Sequence, residues 1–119
     1  MLTKLLLVDD DFDFLNTLSS VLKKDFLIST ATGVAKAKQV LMSEDIDAVC
    51  SDFNMRDGTG LELLEWLREQ GNMIPFLILS GIEDAFLMNT VKCYGATFCS
   101  KTDYDLIETI KTLINLTSM

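Results

Sequence analysis

The stretch "LLLVDDDFDF", residues 5–14, ends a run of aliphatics in Asp9, Asp10 and Asp11, with Asp13 close behind. Three more polar residues close short apolar runs elsewhere: Asp52 after "DAVCS", Ser80 at the end of "PFLILS", and Lys101 after "ATFCS". Carboxylates about 4 Å apart repel by about 4 kcal/mol per pair at an effective dielectric of roughly 20, so a cluster of Asp9, Asp10 and Asp52 must take up protons or hold a cation. A hard divalent ion is the natural counterion. Mg²⁺ suits such a site better than Ca²⁺, because it needs few carboxylates, keeps several waters and leaves positions for a phosphoryl oxygen. A carboxylate can also attack a phosphoryl group and become an aspartyl phosphate. The transferred group would then need the metal on one side, a cation such as Lys101 on another, and a hydroxyl such as Ser80.

These residues meet only if the elements before them end at a common edge. Five β-rich runs, at 4–8, 26–31, 47–51, 75–80 and 96–100, alternate with five stretches of helical period. Phe14, Leu18 and Val21 are spaced to form one stripe, as are Leu87, Val91 and Tyr94, and Leu106, Ile110 and Leu113; Val34, Ala37, Leu41 and Leu61, Leu64, Leu67 form weaker ones. Thr59 with Glu62 and Thr102 with Asp105 have capping-box spacing, and Gly71 and Gly95 stand where helices should stop. The order is (βα)₅, a doubly wound α/β fold with helices on both faces of a parallel sheet. In such sheets ligands gather beyond the carboxyl ends of the strands. Asp9, Asp10, Asp52, Ser80 and Lys101 all fall at that edge.

Composition narrows the function. The 119 residues, 1–119, fit a single domain, and their net charge of −8 opposes attraction to nucleic acid or anionic lipid. No apolar run approaches the ~20 residues of a membrane-spanning helix, and no signal-peptide pattern opens the chain, so a soluble, cytoplasmic protein is expected. Cys50, Cys93 and Cys99 are odd in number and lack zinc-site spacing. The absence of any histidine argues against a hydrolase of the usual Ser or Cys triad kind. Some of the polar residues have simpler roles: Asp11 and Asp13 read as capping the first helix, and Asp57 and Gly58 as turn formers. Ser80 or Lys101 alone would carry no argument; the five together do.

The pieces "LLLVDDD", "SDFNMRDGTGLELL", "IPFLILSG" and "YGATFCSK", in this order, resemble the receiver domain of two-component response regulators, over essentially the whole chain. The resemblance implies a flavodoxin-like five-stranded parallel sheet of order 2-1-3-4-5. It implies that Asp52 is the phosphoacceptor, and that Mg²⁺ is bound by Asp10, Asp52 and the backbone carbonyl of Asn54, with Asp9 acting through water. Ser80 would hydrogen-bond the phosphoryl group, Lys101 would pair with it, and Phe98 would be the aromatic whose side chain turns inward on activation. Asn54 and Ile82 match positions that influence hydrolysis of the acyl phosphate.

The chain departs from the family pattern at three places. Met55-Arg56 replaces Met-Pro, Gly81 follows Ser80, and Lys101-Thr102 replaces a Lys-Pro with a cis bond. A cis bond before a residue other than proline costs ~2.5–4 kcal/mol, so the 101–102 bond is expected to be trans or strained. The implied partners are a histidine kinase or a histidine phosphotransfer protein as donor, acting in trans, and a downstream protein target. That target would be met by a surface of the fourth helix, fifth strand and fifth helix, in or beside which Lys92, Tyr94, Cys99 and Tyr104 are expected. Met1 and the tail "INLTSM" suggest a stand-alone receiver with no output domain. Two other readings compete: a receiver-like module that works without phosphorylation, and a phosphatase of the haloacid dehalogenase type with Asp9 as nucleophile.

Overall fold

The computed structural model of the chain describes residues 2–117, so Met1 and the last two residues of "INLTSM" lie outside it. Five strands, β1 (Lys4–Val8), β2 (Leu27–Ala31), β3 (Ala48–Asp52), β6 (Phe76–Ser80) and β7 (Thr97–Ser100), form one parallel sheet of order β2-β1-β3-β6-β7. This is the expected order of the five long strands. Between β3 and β6 the chain adds an antiparallel hairpin, β4 (Asn54–Met55) with β5 (Gly58–Thr59), that periodicity does not announce because each strand is two residues long. Five helices complete the series: α1 (Phe12–Leu22), α2 (Val34–Ser43), α3 (Gly60–Glu69), α4 (Ala85–Cys93) and α5 (Leu106–Thr117).

The continuous apolar character of β1 follows from coverage on both faces. Leu5 and Leu7 pack with α1 and α5 through Leu15, Leu18, Leu22, Ile110 and Ile114. Leu6 and Val8 belong to the opposite cluster, with Val34, Ala37, Leu63, Leu67, Leu87 and Val91 of α2, α3 and α4. Alternate residues therefore serve alternate layers, and a polar substitution at any of Leu5, Leu6 or Leu7 would reach a core. The α1 stripe is rotated from the expected one. Leu15, Leu18 and Leu22 are buried, while Phe14 is half-buried and Val21 exposed, both facing a groove shared with α5.

Local signals end the helices largely as expected. Asp11 caps α1 by accepting from the Phe14 N–H at 3.2 Å, and Thr59 caps α3 through the Glu62 N–H at 3.1 Å. Gly71 and Gly95 follow the caps of α3 and α4 with φ of 78° and 70°, a conformation that favours glycine. The Thr102–Asp105 box does not form: α5 starts at Leu106, and Asp103 accepts the Asp105 N–H and the Thr109 hydroxyl instead. Thr102 is used elsewhere, its Oγ1 lying 2.8 Å from Ser100 Oγ. Arg68, half-buried on α3, donates to the carbonyls of Tyr94, Asn72 and Ile74, tying the end of α4 and the loop before β6 to α3. Among the described residues no helix is long and apolar enough to cross a membrane.

Candidate functional site

Parallel strands deliver their carboxyl ends to one edge, and the register sets how far each residue projects. Asp9 follows β1, its N–H donating to the Ala31 carbonyl at 3.1 Å. Asp52 is the last residue of β3, paired with Leu79, and Ser80 ends β6 opposite Ser100. Lys101 follows β7, anchored by its own N–H on the Ser80 carbonyl at 2.9 Å. A close approach shapes the turn after Asp52. A Cβ on Gly60 would lie 2.5 Å from the Asp52 carbonyl oxygen, so only glycine lets α3 begin there.

One oxygen from each of Asp9, Asp10 and Asp52 falls in a cluster whose atoms all lie within 4.8 Å of one another. Asp9 is only 2% exposed. Its Oδ1 accepts the Asp11 N–H at 2.8 Å, and its buried Oδ2 has no donor among the described residues besides the Lys101 ammonium, 2.8 Å away. The same ammonium is 3.2 Å from Asp52 Oδ1. Burial, and then the charge of Asp9, push the Asp52 carboxyl above its ordinary value, with Lys101 opposing them. For Lys101, burial alone would lower the ammonium, but its hydrogen bond to Asp9 and the charge of Asp52 outweigh that and raise it. One lysine thus partly balances three carboxylates. The oxygen-only donor set, its spacing and the strained ionisation of Asp52 fit a hard divalent cation such as Mg²⁺.

The other expected residues divide. Ser80 is buried, and its hydroxyl bonds the backbone of Ile82, donating to the carbonyl and accepting from the N–H, both at 3.1 Å. Asn54 opens β4 and shares with Asp52, Ser80, Ile82 and Phe86 the lining of a cavity of about 410 Å³. Phe98 is half-buried in β7 and lines a groove with Met88 and Lys92 of α4. Tyr104 is 98% exposed and Lys92 is exposed. Cys99 is not a surface residue: its strand position turns it into the layer under α1 and α5, where it is 4% exposed. Tyr94 turns toward α3, donating from its hydroxyl to Glu65 at 3.0 Å.

Sequence reasoning passed over three features of the site. Arg56 matters through its backbone: its N–H donates to Asp10 Oδ2 at 2.9 Å, a bond that proline at this position could not make. Asp57 does sit in the hairpin turn, but its carboxylate also caps α2, accepting from the N–H groups of Val34 and Ala35 at 2.9 and 3.0 Å. Phe14 places its ring 4.4 Å from the Lys101 ammonium. A charged residue 23 positions from the helix it caps, or a lysine from another strand end, leaves no mark in local spacing.

The described residues contain no cis peptide bond, and Lys101 reaches both aspartates without a following proline. A family model described as the response regulator receiver domain matches residues 5–111. The chain belongs to that family. Receiver domains are signalling modules of two-component systems and generally bind Mg²⁺ at an acidic pocket. This receiver domain is 36% identical over 78 residues to the photosynthetic apparatus regulatory protein RegA of Cereibacter sphaeroides, a match covering 65% of the chain and 42% of the relative. It therefore spans less than half the length of that relative. Among solved structures, the chemotaxis protein CheY4 of Vibrio cholerae is 25% identical with a TM-score of 0.87, covering 98% of this chain and 99% of that one. A receiver domain protein from Methanospirillum hungatei, 21% identical, has a TM-score of 0.88 and covers 98% and 97% of the two chains, evidence for the fold.

Proposed function

We propose that this receiver domain is a phosphorylation-controlled switch, a cytoplasmic module that takes a phosphoryl group onto Asp52 from the phosphohistidine of a partner kinase or phosphotransfer protein. The observation that carries the reading is the juxtaposition of Asp52 with Asp9, Asp10 and Lys101 at one strand edge. In the transfer, an Asp52 carboxylate oxygen forms a bond to phosphorus as the donor's P–N bond breaks, and the electron pair stays on the imidazole nitrogen. Since the chain has no histidine, the donor acts in trans. Asp10, Asp52 and the carbonyl of Asn54, with Asp9 acting through water, would hold Mg²⁺, which when bound would neutralise the charge that gathers on the phosphoryl oxygens. Lys101 stays ionised beside Asp52 and pairs with the transferred group, and Ser80 exchanges its bond to Ile82 for one to a phosphoryl oxygen.

The new charge would bias Ser80 and Phe98 toward one of two arrangements, and with them the surface of α4, β7 and α5 that meets a downstream protein. Lys92 on α4 and Tyr104 just before α5 are exposed in or beside it. Two observations weigh against the competing readings. Asp9 is only 2% exposed, which suits a nucleophile poorly, and Lys101 pairs with Asp9 and Asp52 without the proline whose absence suggested a phosphorylation-independent module.

The test is the intact mass of wild type and Asp52→Asn after incubation with acetyl phosphate, with and without Mg²⁺. One phosphoryl adduct on wild type alone, dependent on Mg²⁺, is expected. An equal adduct on Asp52→Asn would reject Asp52 as acceptor, and a folded wild type that takes none would reject the switch.

A further inference from the structure

The ammonium of Lys101 touches three groups, and only two of them are carboxylates. Asp9 Oδ2 lies at 2.8 Å, Asp52 Oδ1 at 3.2 Å, and the centroid of the Phe14 ring at 4.4 Å. Phe14 belongs to the first turn of α1, where its N–H is held by the Asp11 cap, so its ring is presented from a fixed element. Lys101 comes from the loop between β7 and α5, and no proline stiffens that loop. Its backbone end is tied by the N–H bond to Ser80 and by the turn that Ser100 makes with Thr102. Nothing in that loop fixes the far end of a side chain with four rotatable bonds.

We infer that Phe14 is a positioning residue for Lys101: its ring face holds the ammonium at the edge of the acidic pocket. The attraction is that of a cation for the negative face of an aromatic ring, and it strengthens where water is partly excluded. Here the lysine side chain is 23% exposed and Phe14 is half-buried. The two aspartates also attract the ammonium, but a phosphoryl group on Asp52 or a cation among the carboxylates alters both of those partners. The ring is neutral and keeps its pull through such a change, so Lys101 stays near Asp52 when its ion pairs are rearranged. A leucine at position 14 would fill most of the same space without a ring face.

This inference rests on the phosphoacceptor reading for its consequence, not for its geometry, and two measurements separate them. In proton NMR of the wild-type chain, the ε-methylene of Lys101, assigned by its loss in Lys101→Arg, should be shifted upfield by the ring current of Phe14. The shift should vanish in Phe14→Leu and persist in Phe14→Tyr. In acetyl phosphate labelling with saturating Mg²⁺, Phe14→Leu should be slower by roughly 2- to 30-fold, and Phe14→Tyr should stay within about twofold of wild type, the range set by ring–ammonium contacts. Both variants are compared at equal fractions folded, checked by thermal unfolding. An unshifted Lys101 in wild type would overturn the inference, as would wild-type labelling by Phe14→Leu or equal loss in folded Phe14→Leu and Phe14→Tyr. If wild type takes no phosphoryl group, the phosphoacceptor reading fails and the ring-current shift alone judges the contact.

Discussion

Replacing Gly33 by alanine builds a methyl group into space that the Asp57 carboxylate occupies. The new Cβ would lie 2.7 Å from Asp57 Oδ1 and 2.9 Å from Oδ2, closer than carbon and oxygen tolerate. The backbone itself raises no objection, since Gly33 is extended, with φ of −176°, a conformation any residue adopts. The clash must therefore be relieved by moving Asp57, which then forfeits its bonds to the N–H groups of Val34 and Ala35. Loss of such a helix cap costs about 1 kcal/mol, with a range of roughly 0.5–2. Alanine at position 33 also changes unfolded-chain entropy and the fit of the cap position, but those effects are common to both backgrounds. A double-mutant cycle of Gly33→Ala and Asp57→Ala removes them and should return a coupling of about 1 kcal/mol, with Gly33→Ala less harmful once Asp57 is gone. The measurement is urea unfolding of the four proteins at neutral pH. Additivity to within about 0.3 kcal/mol would refute the reasoning, because the two residues would then not share the space the structure assigns them. Hydrogen bonds from Ala35 and then Val34 hold the Asp57 carboxyl below its ordinary value. Its contribution is therefore present above the ordinary carboxylate range and lost as pH falls through the lowered folded value, so the deficit of Asp57→Ala should shrink in acid.

The acidic cluster predicts the opposite pH dependence for Asp52. Burial and Asp9 raise its carboxyl, so the folded protein binds that proton more tightly than the unfolded chain, and the ionised group destabilises the fold above its raised value. Without Mg²⁺, Asp52→Asn should be more stable than wild type at neutral pH, and the gap should close as pH falls through that value; an equal or lower unfolding midpoint at neutral pH would contradict the assignment. The thiols should divide as well. Cys93 is exposed, whereas burial raises the Cys99 thiol to about 11 and the Cys50 thiol further still. A disulfide reagent should label one thiol quickly in the native protein and the other two only on unfolding, and rapid native labelling of two would contradict the burial of Cys99.

Much of this molecule was legible from its residues because the governing forces act over short stretches of chain. The apolar run at 4–8, buried on both faces, and the alternation of strand and helical periods needed only local patterning, and with the family resemblance they led to the observed strand order. Asp11, Thr59, Gly71 and Gly95 did their expected work because a cap is decided within a few residues of a helix end. Thr102 did not, since Ser100 competed for its hydroxyl and Asp103 took over the start of α5.

The carboxylates and Lys101 could be assigned to one edge from strand ends alone, because parallel strands all point the same way. What surrounds them was decided by packing between segments far apart in sequence. Whether Cys99 and Tyr94 faced solvent depended on the pleat of β7 and on the seat of α4 against α3, and neither is encoded in composition. Asp57 became the cap of α2, the Arg56 N–H became a partner of Asp10, and Phe14 became the ring beside Lys101 only once the sheet brought three loops together. Residue types and their periods determine which elements form and which charges share an edge. The distances between side chains, and so the balance of one ammonium against three carboxylates, arise from the tertiary fold, because electrostatic and ring contacts depend on ångströms that no linear spacing specifies.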